Sequence, residues 1–343
     1  MTASPSADSD RPRGVIAIGA SAGGVEALKQ LAASLPPDLP YAVLVALHMA
    51  AASPSVLAQI VDRSGPLPAT QAVDGEHLRA GHVYAAVPDR HLLVGGHRLV
   101  VSRGPTEDGH RPAINPLMRS AAVAFGPRAV GVLLSGVLDD GVLGLAAIRS
   151  RGGVTVVQDP DDALFPDMPR NAIAAQIVDH VVAASAAGRL FTKLAERLGD
   201  EFATVSDPAM DLENTIAMGP RYPDTFDPET LFRPSGFTCP DCHGSLVSVG
   251  DASYRCRIGH AWTPEALFRA RDSETENALW IALRTLEEKA KLSRIHETTV
   301  GPGALQRRYA EIARESEHAV DVLRARLAEL VDDPGDHRNE STA

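Results

Sequence analysis

The sequence predicts an α/β protein with a doubly wound, mostly parallel sheet of Rossmann-like type, followed by a small cysteine-bearing segment and a helical hairpin. Two observations predict the sheet. Short β-branched runs are almost continuously apolar, and Ala- and Leu-rich stretches of helical length alternate with them. Strands covered by helices on both faces have this pattern. Three cysteines lie close together late in the chain, which predicts a metal site rather than a disulfide framework.

The elements follow one another in a regular order from residue 14 onward. Apolar runs at 15–18 and 41–47 flank the helical stretch 25–35, and a helical stretch at 139–151 precedes the last run. Gly95-Gly96 between two later runs predicts an antiparallel hairpin near 82–102. The predicted strands are 15–18, 41–47, 82–87, 98–102, 129–135 and 153–159.

Changes in composition divide the chain of 343 residues into six segments. The two ends are polar and predicted to be disordered. A stretch rich in Asp, Pro and Thr without sustained periodicity predicts a linker, and two long helical stretches break at Val-Gly-Pro-Gly. The segments are the N-terminus (1–13), the α/β domain (14–197), the linker (198–236), the cysteine segment (237–262), the helical hairpin (263–331) and the tail (332–343).

The charge balance restricts the partners. With 44 acidic and 33 basic residues the net charge is −11, so nothing attracts nucleic acid or anionic membranes in general. No run approaches the roughly 18 apolar residues of a membrane span, and the first residues lack the apolar part of a signal peptide. We therefore expect protein or small-molecule partners, no membrane insertion and a cytoplasmic location.

A glycine-rich turn follows the first predicted strand, with the sequence Gly-Ala-Ser-Ala-Gly-Gly at 19–24. A dinucleotide site would require glycine where Ser21 stands and an acidic residue where the second strand ends on His48. The turn instead matches G-x-S-x-G, which exposes a serine nucleophile between strand and helix. Tight packing alone is the alternative. Only 13 residues precede Gly14, which disfavours a standard α/β-hydrolase fold, because several strands precede the serine turn in that fold.

A serine nucleophile needs a base and an orienting acid. His48 follows the second strand, and Asp139 and Asp140 follow the strand at 129–135. Carboxyl ends of neighbouring parallel strands open onto one crevice, so these side chains are expected near Ser21. A structural histidine and a turn or capping aspartate are the alternatives.

These segments resemble the CheB family of chemotaxis protein-glutamate methylesterases over residues 14–197. The resemblance rests on the blocks IGASAGG, VALHMAAASPSVLAQIV, DGEHLRAGHVYAAVPDRHLLV, GHRPAINPLMRSAAVAFG, LLSGVLDDGVLGLAAIRSRGG and VQDPDDALFPDMPRNAI. It implies hydrolysis of glutamyl γ-methyl esters on the cytoplasmic helices of chemoreceptors, with glutamine deamidation as a second activity. No cofactor is expected for this catalysis.

The resemblance also implies roles for individual residues. Ser21 becomes the nucleophile, His48 the base and Asp140 the acid, while Asp139 remains a neighbouring turn residue. Four further side chains are implied near the cleft, and for each of them a role as a loop or capping residue is the open alternative. The remaining implied positions are the backbone N–H groups of Ala22 and Val137 in the oxyanion hole, and Arg111, Asn115, Met168 and Arg170 near the cleft.

Two departures from the family pattern affect the cleft wall. Ala22 stands where the family usually has threonine, and Val137 and Leu138 stand in a loop that usually reads G-M-G-x-D-G. A non-catalytic adaptor with a degenerate esterase domain therefore stays open as an alternative. The family's receiver domain does not fit before Gly14, so a separate receiver or a methyltransferase is an expected partner beside the methylated receptor helices.

The cysteine segment has the spacing of a structural metal site. Cys239 and Cys242 are separated by two residues, and Cys256 and His260 by three. Two such pairs suit tetrahedral zinc with four protein ligands and no open position for catalysis. His243 offers a competing nitrogen, and a metal-free loop is the alternative. For the helices that follow, pairing with another copy, a receptor bundle or a methyltransferase competes with packing on the chain's own domain.

Overall fold

The computed structural model describes residues 11–196, 207–219, 232–249 and 253–332. The two predicted disordered ends therefore lie outside the described residues, except for residues 11–13 and 332. Parts of the predicted linker at 198–236 also lie outside them.

A sheet of seven parallel strands forms the centre of the first domain. Strands β1 (Gly14–Ala20), β2 (Tyr41–Leu47) and β7 (Ala129–Leu133) lie side by side and are buried along their whole lengths. Such burial explains the continuous apolar runs in the sequence. In spatial order the strands are β3 (Ala69–Gln71), β4 (His82–Ala85), β2, β1, β7, β8 (Val154–Gln158) and β9 (His180–Val182).

Helices cover both faces of this sheet, as the predicted doubly wound fold requires. The side chains of Ile16 and Ile18 in β1 join one buried apolar cluster, and those of Val15 and Ala17 join the other. This alternation follows from the two-residue period of a strand. The helices of this domain are α1 (Gly24–Ser34), α2 (Leu57–Ser64), α3 (Ile114–Phe125), α4 (Val142–Ser150), α5 (Asp167–Ala174) and α6 (Ala187–Ala195).

The predicted hairpin is present but shorter than expected. Strands β5 (His91–Gly95) and β6 (Arg98–Ser102) form a separate antiparallel pair, with Gly96 in the turn at φ +63°. The predicted run at 82–87 does not belong to the hairpin, because β4 pairs in parallel with β2 in the main sheet.

The described part of the predicted linker contains a helix, α7 (Pro208–Ala217). Asp207 caps it by accepting hydrogen bonds from the N–H groups of Ala209 and Met210. Ile216 is buried, and α7 contacts α3 of the α/β domain. This part of the chain therefore packs on the domain.

The cysteine segment folds as a small antiparallel sheet. By contact the chain divides into two compact units, residues 1–267 and 268–343, and the cysteine segment belongs to the first. No helix in the described part of the chain is long and apolar enough to cross a membrane. The strands are β10 (Arg233–Thr238), β11 (Ser245–Val249), β12 (Ser253–Cys256) and β13 (Ala261–Trp262).

Two long helices complete the chain, α8 (Pro264–Thr299) and α9 (Ala304–Asp332). Within the second unit they run antiparallel and bury a small apolar core that includes Leu283, Val320 and Leu327. The first of them begins one residue after the start of the segment 263–331, and the second ends one residue after its end.

Candidate active site and cysteine cluster

Three side chains meet where β1, β2 and β7 end. His48 Nδ1 lies 3.1 Å from Ser21 Oγ, and His48 Nε2 lies 2.7 Å from Asp140 Oδ2. The side chains of His48 and Asp140 are 9% and 2% exposed. The strand order reverses beside β1, where parallel sheets open a crevice at their carboxyl edge. The arrangement joins a hydroxyl, an imidazole and a carboxylate in the order of a serine hydrolase.

Ser21 stands in a tight turn between β1 and α1. Its N–H donates to the Ser135 carbonyl at 2.9 Å, and the Gly24 N–H donates to the Ser21 carbonyl at 2.8 Å. Gly23 has φ +70°, and a Cβ there would lie 2.7 Å from Ser135 Oγ. The turn therefore requires glycine at this position. It holds Ser21 just before the N-terminus of α1.

Asp140 accepts three hydrogen bonds in a buried position. Its Oδ2 receives the N–H of Ile114 at 2.7 Å besides the His48 contact, and its Oδ1 receives the N–H of Asn115 at 3.0 Å. Burial by itself raises the pKa of Asp140, but the hydrogen bonds from His48 and Ile114 outweigh it and hold the pKa below its ordinary value. The carboxylate stays ionised and orients the imidazole.

The loop that carries Asp140 is fixed by the first turn of α3. Asn115 Oδ1 accepts the N–H groups of Gly141 at 3.0 Å and Gly144 at 2.7 Å. The Ile114 side chain fills the space beside Gly19 and Gly141. A Cβ added at Gly19 would lie 2.2 Å from Ile114 Cγ2, and one added at Gly141 would lie 3.0 Å from the same atom. The serine turn and the acid loop therefore pack against the same side chain.

His110 is a neighbour of the triad that the sequence analysis did not single out. Its ring stacks on His48 with centroids 3.9 Å apart and planes 10° apart. Burial, followed by the proximity of His48, lowers the pKa of His110 to about 3. A neutral ring thus covers the face of the His48 imidazole. The position of His110 beside Arg111 in the resembling block GHRPAIN was the only signal that could have identified it.

The resemblance implies two backbone N–H groups as oxyanion donors. One belongs to Ala22, which follows Ser21, and the other to Val137, three residues before Asp140. In the described part of the chain, the N–H groups of Ala22 and Val137 have no protein acceptor. Nearby, the Gly136 N–H donates to the Phe165 carbonyl at 2.9 Å, which fixes the backbone before Val137. Free, preorganised N–H groups are what an oxyanion requires.

The four side chains expected near the cleft occupy different environments. Arg111 pairs with Asp89 at 2.7 Å, and Asn115 is buried in the loop contacts described above. Met168 is also buried, and a Cβ at Gly136 would lie 2.0 Å from its Sδ. Arg170 is exposed. Asn115 and Met168 therefore support the site from inside the fold.

Ser135 and Gln158 form a second support that the sequence did not reveal. Ser135 Oγ donates to the Ala22 carbonyl at 2.8 Å and accepts the Phe165 N–H at 2.9 Å. Gln158 Oε1 accepts the Ser135 N–H at 2.8 Å. These bonds connect the serine turn with the segment before α5. Single polar residues at strand ends carry no pattern that predicts such partners.

The cysteine cluster brings together the four expected ligands, Cys239, Cys242, Cys256 and His260. Their ligand atoms all lie within 4.8 Å of one another, and His243 is outside the group. Hydrogen bonds from Cys256 and His260 lower the pKa of the Cys239 thiol, which favours the thiolate that binds metals. The four residues could therefore hold a metal ion.

The spacing of these atoms fits tetrahedral zinc. Cys242 Sγ and Cys256 Sγ are 3.6 Å apart, and His260 Nδ1 lies 3.6 Å from Cys239 Sγ and 3.5 Å from Cys256 Sγ. Zinc bonds of about 2.3 Å to sulfur and 2.0 Å to nitrogen give tetrahedral edges of about 3.5 to 3.8 Å. The donor set and its dimensions agree with that ion.

The comparisons with known proteins place these features in a family. The family model described as CheB methylesterase matches residues 16–190. A protein-glutamate methylesterase/protein-glutamine glutaminase of Anaeromyxobacter dehalogenans is 44% identical over 185 residues, which is 53% of this chain and 54% of the relative. A relative of the same name from Myxococcus xanthus is 40% identical over 171 residues, covering 50% of this chain and 48% of the relative.

A solved structure agrees with the fold. The CheB methylesterase catalytic domain of Thermotoga maritima is 26% identical, has a TM-score of 0.51, and is covered to 98% by 53% of this chain. The chain spans about half the length of the curated relatives that it matches. The matched region contains Ser21, His48 and Asp140. On the family model and the shared fold, this chain belongs to the CheB methylesterase family.

Proposed function

We propose that this chain is a protein-glutamate methylesterase that hydrolyses glutamyl γ-methyl esters on the cytoplasmic helices of methylated chemoreceptors. The observation that carries the proposal is the continuous hydrogen-bonded series from Ser21 through His48 to Asp140. The names of the relatives support it, and they also include protein-glutamine glutaminase activity. We therefore propose that Ser21 also deamidates glutamine side chains. We propose that both reactions take place in the cytoplasm.

The chemistry follows from the order of the three groups. His48 Nδ1 accepts the Ser21 proton as Oγ attacks the ester carbonyl, and Asp140 stabilises the resulting imidazolium. The imidazolium then gives its proton to the departing methanol. Water repeats the attack on the acyl-enzyme and restores the glutamate carboxylate. The N–H groups of Ala22 and Val137 would stabilise the oxyanion, each by roughly 3 to 4 kcal/mol.

The cysteine cluster has a structural role in this proposal. Cys239, Cys242, Cys256 and His260 would hold one zinc ion, which supplies folding stability to a segment with little apolar core. Four protein ligands leave no open position, so the ester chemistry belongs to the triad alone. The intact series of hydrogen bonds argues against the adaptor alternative.

The test is methanol release from methylated receptor cytoplasmic fragments without a phosphodonor. The intact protein, Ser21→Ala and the matched control Ser150→Ala are compared; Ser150 lies at the end of α4, away from the triad. We expect release by the intact protein and by the control and none by Ser21→Ala. Release that persists in Ser21→Ala, or its absence from the intact protein, contradicts the proposal.

A further inference from the structure

The cysteine segment packs directly on a loop of the α/β domain. Residues 105–111, here called the His110 loop, run beside β13. The Asp108 N–H donates to the Ala261 carbonyl at 2.8 Å, and the Ala261 N–H donates to the Thr106 carbonyl at 3.2 Å. A Cβ at Gly109 would lie 3.4 Å from the Trp262 ring. The strand that follows the ligand His260 is therefore joined to this loop by its backbone.

Buried charges strengthen the same contact. Arg255, in the strand that ends at the ligand Cys256, is 2% exposed and lies 3.4 Å from the Glu107 carboxylate. Arg119 of α3 pairs with the same carboxylate at 2.5 Å. Removing one partner from a buried ion network leaves an uncompensated charge. The cysteine segment and the His110 loop are thus held in one fixed arrangement.

Thr263 connects the end of the cysteine segment to both loops of the site. Its N–H donates to Asp108 Oδ1 at 2.7 Å, and its Oγ1 donates to Asp139 Oδ1 at 2.9 Å. The same hydroxyl accepts the Ala266 N–H at 3.1 Å in the first turn of α8. Thr263 is buried, so water does not replace these bonds readily.

Both loops that Thr263 contacts also contact the triad. Asp139 immediately precedes Asp140, whose carboxylate orients His48. The His110 loop carries the ring that stacks on His48. A contact of Thr263 therefore lies one residue from the acid of the triad, and a second contact lies two residues from the ring that covers the base.

We propose that Thr263 is a positioning residue for the triad, through which the folded cysteine segment, with the metal ion that its four ligands would hold, sets the rate of ester hydrolysis. The inference rests on the proposed function for its biological meaning. The structural part of the inference does not depend on the substrate, because it concerns how rigidly the His110 loop and the loop that carries Asp140 are held. Thr263 contacts no reacting atom, and it acts through Asp108 and Asp139.

The experiment compares full-length Thr263→Val, Thr263→Ser and Asp139→Ala with the unmodified protein. Hydrolysis of p-nitrophenyl acetate gives kcat and KM without receptor recognition, and hydrogen exchange measures amide protection in residues 105–111 and 137–141. We expect Thr263→Val and Asp139→Ala each to lower kcat about tenfold with little change in KM. Thr263→Val should also speed exchange in both loops. Thr263→Ser keeps the hydroxyl and should restore both readouts.

Controls separate this role from helix capping and from a general loss of fold. Thr275→Val removes an exposed hydroxyl from the same helix and should change neither readout. Asp139→Ala leaves the α8 cap intact, and its effect should not add to that of Thr263→Val if the two residues act together. Unchanged kcat and unchanged exchange in Thr263→Val would overturn the inference.

Metal removal supplies the second test. Chelation of the full-length protein should speed exchange in residues 105–111, and added zinc should reverse the change. Loss of zinc with unchanged exchange would refute the part played by the metal. Should the intact protein cleave p-nitrophenyl acetate but no receptor ester, the proposed function fails while this inference is still decided. Should it cleave neither ester, the claim about the rate fails with the proposed function, and the exchange measurements decide whether Thr263 orders the two loops.

Discussion

Asp140 illustrates how single residues determine this site. It accepts N–H groups from Ile114, Asn115 and His48, so its charge is matched by donors on every side. Asp140→Asn keeps the shape but places an amide donor against one of the groups that donate to it. His48 then loses the partner that fixes its tautomer, and turnover should fall by about 10³-fold or more. Methanol release at constant protein stability measures this, and a variant with near-normal turnover would remove Asp140 from the triad.

His110 makes a prediction about pH. Its pKa is lowered to about 3 in the folded protein, against 6.5 in an unfolded chain, by burial and by His48, with Asp140 opposing. Between these values the unfolded state binds one more proton, so this group removes stability as pH falls below 6.5. His110→Phe keeps a flat ring and should flatten the slope of unfolding free energy against pH by about 1.4 kcal/mol per pH unit. Urea unfolding from pH 6.5 to 4 measures it, and an equal slope would contradict it.

Leu138 makes a prediction about backbone strain. It has φ +69° at the position where the resembling family pattern has glycine. The left-handed conformation costs a residue with a side chain about 1 kcal/mol. Leu138→Gly should therefore raise the free energy of unfolding by about that amount, whereas Leu138→Ala keeps the strain and should not. Thermal unfolding of the two variants distinguishes them, and equal midpoints would show that the loop is not strained here.

At the scale of elements, the sequence predicted those strands and helices whose buried faces impose an apolar pattern on it. Strands β1, β2 and β7 are apolar throughout because helices cover them, and the site residues at their ends follow from the parallel order. The edge strand β3 has only three residues, none of them buried, so no apolar run indicated it. Helix α7 was missed because its signal is an Asp-Pro start rather than a long apolar period. His110 and Thr263 were missed because their partners are distant in sequence.

The cysteine segment makes a prediction of its own. The purified protein should contain about one zinc per chain by elemental analysis, since the four ligand atoms have tetrahedral spacing. Cys256→Ala should abolish it. His243→Ala is the matched control, because His243 lies outside the group, and it should retain the metal. Native protein without zinc, or zinc that persists in Cys256→Ala, would refute the assignment.

At the scale of the whole molecule, the chain divides into two compact units. Ser21, the cysteine cluster and Thr263 all belong to the unit 1–267, and the unit 268–343 contains most of the helical hairpin. A chain that ends at Leu267 should therefore keep the kcat of the full protein on p-nitrophenyl acetate. Steady-state kinetics on the shortened and full chains test this. A large loss of kcat would show that residues 268–343 take part in forming the site.

Ile114 gives the active site an evolutionary constraint. Its side chain fills the space beside both Gly19 and Gly141, and its N–H is bound by Asp140. One branched side chain thus separates the turn of the nucleophile from the loop of the acid. A larger residue at position 19 is acceptable only together with a smaller one at position 114, because the three atoms nearest to a Cβ there all belong to Ile114. Gly141 has φ +99°, and a Cβ there would also lie 2.4 Å from Leu133 Cδ1, so a change at position 114 does not free it. Positions 19 and 114 should therefore change together in lineages that keep the activity, although they are far apart in the sequence, while position 141 should stay glycine.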